Sequence, residues 1–157
     1  SLIAKMSKTA CKVICKNDKI SVRSKGRLKS LERIDTMYYP GFPTDLQTQI
    51  MALQTISRGT SVIAENIFET RFKTVPQLIK MGADITVRDR TAVVRGVPGL
   101  HGAEVHAPDL RGGASLVLAG LAAEGRTEVK DIYHIDRGYE DMAPVLSGLG
   151  ANITRVV

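Results

Sequence analysis

Asp45, Glu69, Asp109 and Asp136, together with Arg71, Arg111 and Arg137, stand in segments of this chain that can deliver side chains to a substrate. The segments are YPGFPTD (39–45), ENIFETRF (65–72), PDLR (108–111) and YHIDRGYE (133–140). Arginine presents a planar fork that grips carboxylate or phosphate through two parallel hydrogen bonds. A carboxylate set among arginines can accept the proton of a hydroxyl held beside it. The set suits an anionic substrate with a hydroxyl to deprotonate. A structural alternative stands beside that reading. Arg71 could pair with Glu69 and Arg137 with Asp136 inside their own loops, and Asp45 could be a helix cap.

The elements that must position these residues follow from the punctuation around them. Pro40, Gly41 and Pro43 exclude regular helix or a central strand before Asp45. Asp45 then stands where an N-cap belongs, ahead of Leu46, Ile50, Leu53 and Ile56 at helical spacing, which predicts a helix over 45–58. Asp45-Leu46 recurs 64 residues later as Asp109-Leu110, and Arg71 recurs 66 residues later as Arg137. The helix stops Gly59 and Gly82-Ala83 recur as Gly125 and Gly150-Ala151. Landmarks repeating in one order mark an internal duplication. Repeat symmetry brings the corresponding loop ends to one edge of the domain.

Each copy reads as strand, loop with Asp, helix, strand, loop with Arg, helix and β-hairpin. Ser61–Ala64 and Thr127–Ile132 read as strands. The second copy's first helix, over 112–124, carries LVLAGLAA and is apolar almost all round, the mark of a helix buried between other elements. Pro76 and Pro144 fall near first turns of the next helices, where a missing N–H costs little. Val75, Leu78 and Ile79, then Met142, Val145, Leu146 and Leu149, give those helices their core faces. Ile85, Val87, Val93 and Arg95 alternate as hairpin strands around an Arg88–Thr91 turn. LIAKM at 2–6 with Lys12–Cys15 and Ile20–Arg23 resembles the end of a third copy. The units run about 1–30 (partial), 31–96 and 97–157, with the last hairpin cut short after one strand, so the chain reads as part of one domain.

Composition narrows the function classes. The net charge of +6 is concentrated in residues 1–33, which hold ten Lys or Arg against Asp18 and Glu32. Those cations alternate with apolar residues and lack aromatic partners, the pattern of a solvated hairpin face rather than a nucleic-acid site. No apolar run approaches the roughly 20 residues that span a bilayer. Cys11, Val13 and Cys15 share one strand face, so both thiols are expected buried and reduced. No secreted-type disulfide framework is present, which favours a reducing compartment and a cytoplasmic protein. His101, His106 and His134 have no metal-ligand spacing, and no metal site is expected.

Taken in order, YPGFPTDLQ, ENIFETRF, DLRGGASLVLAGLAAEG and YHIDRGYE resemble the UDP-N-acetylglucosamine enolpyruvyl transferase family. The resemblance covers essentially the whole chain but only about the last third of the family's length. It implies an α/β fold, an inside-out α/β barrel built from βαβαββ units and incomplete in this chain, which would be part of the C-terminal domain of a two-domain enzyme. It implies transfer of the enolpyruvyl group of phosphoenolpyruvate to the 3-hydroxyl of UDP-N-acetylglucosamine, the first committed step of peptidoglycan synthesis, with no metal or organic cofactor. By resemblance, Asp45 contacts that hydroxyl and is the proposed base. The backbone of Ile67 holds the sugar nucleotide, Arg137 binds phosphoenolpyruvate, and Arg71, Asp109 and Arg111 line the cleft. The family's proton-donor cysteine belongs to the missing N-terminal domain, so the isolated chain is expected to be inactive. Thr70 and Gly112 depart from the Asn and Ala common there, and Gly112 is expected to loosen the helix start. 5-Enolpyruvylshikimate-3-phosphate synthase shares the barrel without these motifs. A non-catalytic binding or regulatory domain descended from the barrel is the alternative of another class.

Overall fold

The computed structural model describes residues 2–156. Helix α1 (Leu2–Ser7) leads into an antiparallel hairpin of β1 (Lys12–Lys16) and β2 (Lys19–Arg23). Ile14, Ile20 and Val22 of this ribbon are exposed, and Val13 alone in its first strand is half-buried. The expected shared thiol face is therefore not formed. Cys11 lies before β1, buried, with its thiol donating to the Met6 carbonyl at 3.0 Å. Cys15 is exposed, because a two-stranded ribbon has a buried face only where another element covers it.

Residues 31–96 hold one four-stranded sheet and the helices packed on it. Strands β3 (Arg33–Asp35), β4 (Thr60–Ala64), β5 (Asp84–Arg88) and β6 (Thr91–Arg95) make one sheet in the order β3-β4-β6-β5. β3 and β4 are parallel, and the other pairs are antiparallel. Asp89 turns the β5–β6 hairpin with φ of 50°, a left-handed conformation that Asp tolerates. Ile34, Ile63, Ile85, Ala92 and Val94 face inward onto helices α2 (Gln47–Thr55) and α3 (Val75–Lys80). Pro76 sits in the first turn of α3, as its missing N–H requires.

Helix α2 is the central element and is buried on nearly every side, polar residues included. Gln54 is fully buried, and its Oε1 accepts the Leu31 N–H and the Ser61 hydroxyl, both at 2.8 Å. Those bonds lock α2 to the strands on which it lies and satisfy a carbonyl that burial would otherwise penalise. The α-helix begins at Gln47, after a 3-10 turn over Thr44–Leu46, not at the expected residue 45.

Helix α4 (Leu110–Ala122) packs against α2 and joins the parallel pair β7 (Glu104–His106) and β8 (Glu128–Lys130). Gly112 and Gly113 allow Thr74 and Ile135 to lie close against the start of this helix. A Cβ at Gly112 would overlap Thr74 Oγ1, and one at Gly113 would lie 2.6 Å from Ile135 Cγ1. Gly112 thus fits a tight contact. α4 begins and ends two residues earlier than expected. It is not buried all round, since Leu118 and Leu121 are exposed, Leu121 beside an open hollow that also borders Ile132, Met142 and Ile153. Short helices α5 (Tyr133–Asp136) and α6 (Met142–Gly148) follow.

The core face expected for α6 is uncovered, with Val145 and Leu149 strongly exposed, and Ile79 of α3 is exposed as well. Residues 151–156 form no strand, contrary to the alternating pattern. In residues 31–96 the strand after the glycine stop, β5, bonds only to β6. Among the described residues, 151–156 pair with no strand.

Candidate active site

The segment from Thr36 to Asp45 is a folded-back loop pinned at both ends. The Met37 N–H donates to the Phe42 carbonyl at 3.0 Å, and the Gly41 N–H donates to Tyr38 at 2.8 Å. A Cβ at Gly41 would overlap Met37, so the turn closes only around glycine. Phe42 is buried and anchors the loop to the core. Pro43 then starts the 3-10 turn from an extended conformation, and Asp45 lies inside that turn. Neither the turn nor α2 receives a side-chain cap, so the expected N-cap role of Asp45 is not observed.

The Asp45 carboxylate is held between two arginines instead. Its Oδ1 lies 2.9 Å from Arg71 Nη2 and 3.2 Å from Arg111 Nε, and its Oδ2 lies 3.4 Å from Arg111 Nη2. Arg71 comes from the 3-10 turn Arg71–Thr74 after β4, and Arg111 from the first turn of α4. Three segments of the chain thus meet at one carboxylate. The hydrogen bond from Arg111 and the charges of both arginines hold Asp45 below the usual carboxylate range, against an opposing effect of burial. Arg111 is pushed up in turn by Asp45 and by Tyr139. The Asp45 side chain remains 55% exposed, and its less engaged oxygen, Oδ2, can receive a donor from solvent or substrate.

Arg71 is the more enclosed partner, with 12% of its side chain exposed. Its guanidinium lies 4.7 Å over the Phe68 ring, and its Nε donates to Thr44 Oγ1 at 3.2 Å. The salt bridges that formed the alternative reading are not the ones made. Glu69 pairs with Arg90 at 2.7 Å, and Asp136 pairs with Arg155 through both oxygens.

The other predicted residues gather around the first turn of α4. Asp109 is its N-cap, with Oδ1 accepting the Gly112 N–H at 2.8 Å. Arg137 follows α5, is exposed, and makes no ion pair among the described residues. Gly138 beside it lies against Leu110, and Tyr139 reaches Arg111, so this loop borders the same cluster. Ile67 is half-buried, and its N–H donates to Glu65 Oε1 at 2.9 Å.

Glu65 escaped the sequence reading. It is 1% exposed and accepts four hydrogen bonds at the root of the site. The signal was present: an acidic residue directly continues the apolar strand TSVIA, where a buried carboxylate requires dedicated partners. Among the described residues no cluster of His, Cys, Asp and Glu could hold a metal, and no helix is long and apolar enough to cross a membrane.

Comparison with known proteins gives a consistent picture. The profile of the EPSP synthase (3-phosphoshikimate 1-carboxyvinyltransferase) family matches residues 1–146. UDP-N-acetylglucosamine 1-carboxyvinyltransferase of Myxococcus xanthus is 52% identical over 155 residues, 99% of this chain and 37% of the relative. The same-named enzyme of Rickettsia prowazekii is 52% identical over 156 residues, again 99% and 37%. The chain thus spans little more than a third of the length of these curated relatives. Among solved structures, the enolpyruvyl transferase NikO of Streptomyces tendae superposes with a TM-score of 0.87 at 30% identity, over 96% of this chain and 35% of that one. EPSP synthase of Acinetobacter baumannii, at 20% identity and a TM-score of 0.61 over 87% of this chain and 35% of that one, shares the fold.

Proposed function

The chain belongs to the EPSP synthase family of enolpyruvyl transferases, and from that premise we propose that it forms one wall of the active site of a UDP-N-acetylglucosamine enolpyruvyl transferase. The observation that carries the proposal is the Asp45 carboxylate held by Arg71 and Arg111 with Oδ2 open. About 50% identity to transferases of that name over nearly the whole chain supports the sugar nucleotide as the acceptor.

In the proposed reaction the 3-hydroxyl of UDP-N-acetylglucosamine adds to C2 of phosphoenolpyruvate. Asp45 receives the hydroxyl proton as the C–O bond forms, and a proton donor outside these residues adds a proton at C3. Loss of a proton from C3 with departure of phosphate restores the double bond. A carboxylate held low by two arginines is a weak base at rest, so proton removal must accompany bond formation, not precede it. Arg137, unpaired among the described residues, offers its fork to the phosphoenolpyruvate anion, and Arg71 and Arg111 keep the cleft positive. The half-buried Ile67 uses its N–H internally, so its carbonyl is the backbone group for the sugar nucleotide. Asp109 has a second oxygen that does not cap α4, and we assign that oxygen to the cleft lining.

We assign no metal or organic cofactor to this chemistry. The activity needs the other domain of the enzyme, so the isolated chain would turn over nothing. The wider assignment is a cytoplasmic enzyme of peptidoglycan synthesis, serving cell-wall biogenesis, cell shape and division, with no nucleic-acid or membrane partner.

The test is phosphate release by a full-length protein carrying these residues. Release from phosphoenolpyruvate that depends on UDP-N-acetylglucosamine is expected. Release that depends on shikimate 3-phosphate instead, or no release with either acceptor, would overturn the assignment.

A further inference from the structure

Glu65 lies at the end of β4, beneath the loops that carry Asp45, Ile67 and Arg71. Its Oε1 accepts from Thr36 Oγ1 at 2.8 Å and from the Ile67 and Phe68 N–H groups at 2.9 Å. Its Oε2 accepts from Thr44 Oγ1 at 3.0 Å. The direction of these bonds is fixed by what surrounds the hydroxyls. Thr36 Oγ1 also accepts the Asn66 N–H at 2.8 Å, and Thr44 Oγ1 also accepts Arg71 Nε–H at 3.2 Å. Each hydroxyl therefore turns its single proton toward Glu65. Four donors with no acceptor among them is the environment of a carboxylate anion.

We propose that Glu65 is a positioning residue for Asp45: through the Thr44 hydroxyl it orients Arg71, and Arg71 holds the Asp45 carboxylate at 2.9 Å. The inference rests on the functional reading only in taking Asp45 as the working carboxylate. Arg71 has one fixed orientation because two directions are set at once. Its Nε meets an acceptor whose proton already points away, and its Nη2 meets Asp45. Chains of hydrogen bonds with one sense reinforce each other, and little of Arg71 is open to solvent that could compete. The same carboxylate holds the 67–68 peptides, so Glu65 sets the backbone of the 65–72 loop and, through Thr44, the orientation of the Arg71 that this loop carries.

Glu65→Gln breaks the direction of the chain. With the amide oxygen kept toward the Ile67 and Phe68 N–H groups, the amide nitrogen faces Thr44 as a donor and competes with Arg71 for the hydroxyl oxygen. The charged groups facing Asp45 are Arg71, from the turn before α3, and Arg111, from α4 with Tyr139 behind it. Loosening Arg71 removes part of what favours ionised Asp45, so Asp45 should titrate at higher pH. Loss of a nearby negative charge acting only through space would move it to lower pH. A purely structural role would leave it unmoved in folded protein.

The experiment is carboxyl NMR titration of Asp45 in the full-length protein, alongside kcat and KM. Glu65→Gln should raise the Asp45 midpoint by about half a pH unit. Its kcat should fall about tenfold through misplacement, with the Michaelis constants nearly unchanged. Thr44→Val, which cuts the relay without touching the Glu65 charge, should reproduce the upward shift in protein of intact fold. Thr44→Ser, which keeps the hydroxyl, should behave as wild type. A downward or absent shift in Glu65→Gln, or a wild-type titration in Thr44→Val, would overturn the proposal. Wild-type protein that releases no phosphate would sink the functional reading, yet the titration would still decide the positioning role.

Discussion

Asp45 and Asp109 occupy the same place in successive repeats, each preceding a leucine and a helix, and the structure gives them opposite work. Asp109 has φ of −165° and ψ of 179°, an extended conformation that brings Oδ1 back onto the Gly112 N–H. It closes the open end of α4 in the usual manner of a cap. Asp45 stands one residue further from its proline. In Pro108-Asp109 the carboxylate falls at the cap, whereas in Pro43-Thr44-Asp45 the extended position is taken by Pro43, which has nothing to cap with. The extra residue tightens Thr44–Leu46 into a 3-10 turn and directs Asp45 outward to Arg71 and Arg111. A recurring Asp-Leu pair can therefore cap a helix at one position and hold two arginines at the other. The inserted Thr44 also becomes the link to Glu65.

The largest effect that could break this comparison is on turnover. Asp45→Asn in the full-length protein should lower kcat by about 10²–10⁴, the range lost with a general base, while sugar-nucleotide affinity changes little. The melting temperature should hardly move, because Asp45 caps nothing and exposed ion pairs contribute little. Near-normal kcat and KM would make Asp45 a turn residue after all.

Smaller, and a way to sharpen the division of labour around Asp45, is its response to losing either arginine. Its folded pKa lies below the unfolded value, so the clamp favours folding above the unfolded pKa, and that contribution disappears as pH falls through the folded one. Arg111→Ala should raise the Asp45 midpoint more than Arg71→Ala does, since the Arg111 hydrogen bond is the largest influence on it. Titration of each variant by carboxyl NMR checks the order. The reverse order would place the dominant cation on the wrong loop.

Smaller again is the cost of the other aspartate's cap. Asp109→Ala should destabilise the fold by about 0.5–2 kcal/mol, the ordinary range for a lost N-cap, read as a lower denaturant midpoint at unchanged slope. No change in midpoint would mean that Gly112 N–H finds another acceptor and that the cap is ornamental.

The contrast also shows what a sequence can and cannot reveal. The order of strands and helices in residues 31–96 was legible because punctuation and periodicity are local: Gly82 ends a helix, Pro76 starts one, and alternation marks β5 and β6, although α2 stops at Thr55, short of the expected end before Gly59. Arg71, Arg111 and Asp45 as one cluster were legible only as loop ends that symmetry should bring together. The cap assignment of Asp45 failed because one residue between Pro and Asp changes the turn, a difference that composition does not register. Cys15, Val145, Leu149 and residues 151–156 were misplaced for a shared reason. Each has a core-type pattern, but burial and pairing depend on a covering element, and none covers them here. Glu65 was passed over because two of its four donors, the Thr36 and Thr44 hydroxyls, come from chain more than twenty residues away.

The smallest expected effect is also the most discriminating. Asp109→Asn should change almost nothing if Asp109 is only a cap. Asn is as good an N-cap as Asp, keeps an oxygen for the Gly112 N–H, and fits the same extended backbone. The lost charge costs a few tenths of a kcal/mol at most of interaction with the positive end of α4. Stability and turnover should both stay near wild type. The resemblance places Asp109 in the cleft, however, and one of its oxygens does not serve the cap. If that oxygen meets substrate as an anion, Asp109→Asn would lower kcat/KM while the denaturant midpoint stayed fixed, a separation that a cap cannot produce. Paired with Asp45→Asn, the same chemical change at two equivalent positions should then give a loss of orders of magnitude at one and silence at the other. Equal losses at both would show that the repeats kept two working carboxylates, and that the division drawn from their backbone conformations is wrong.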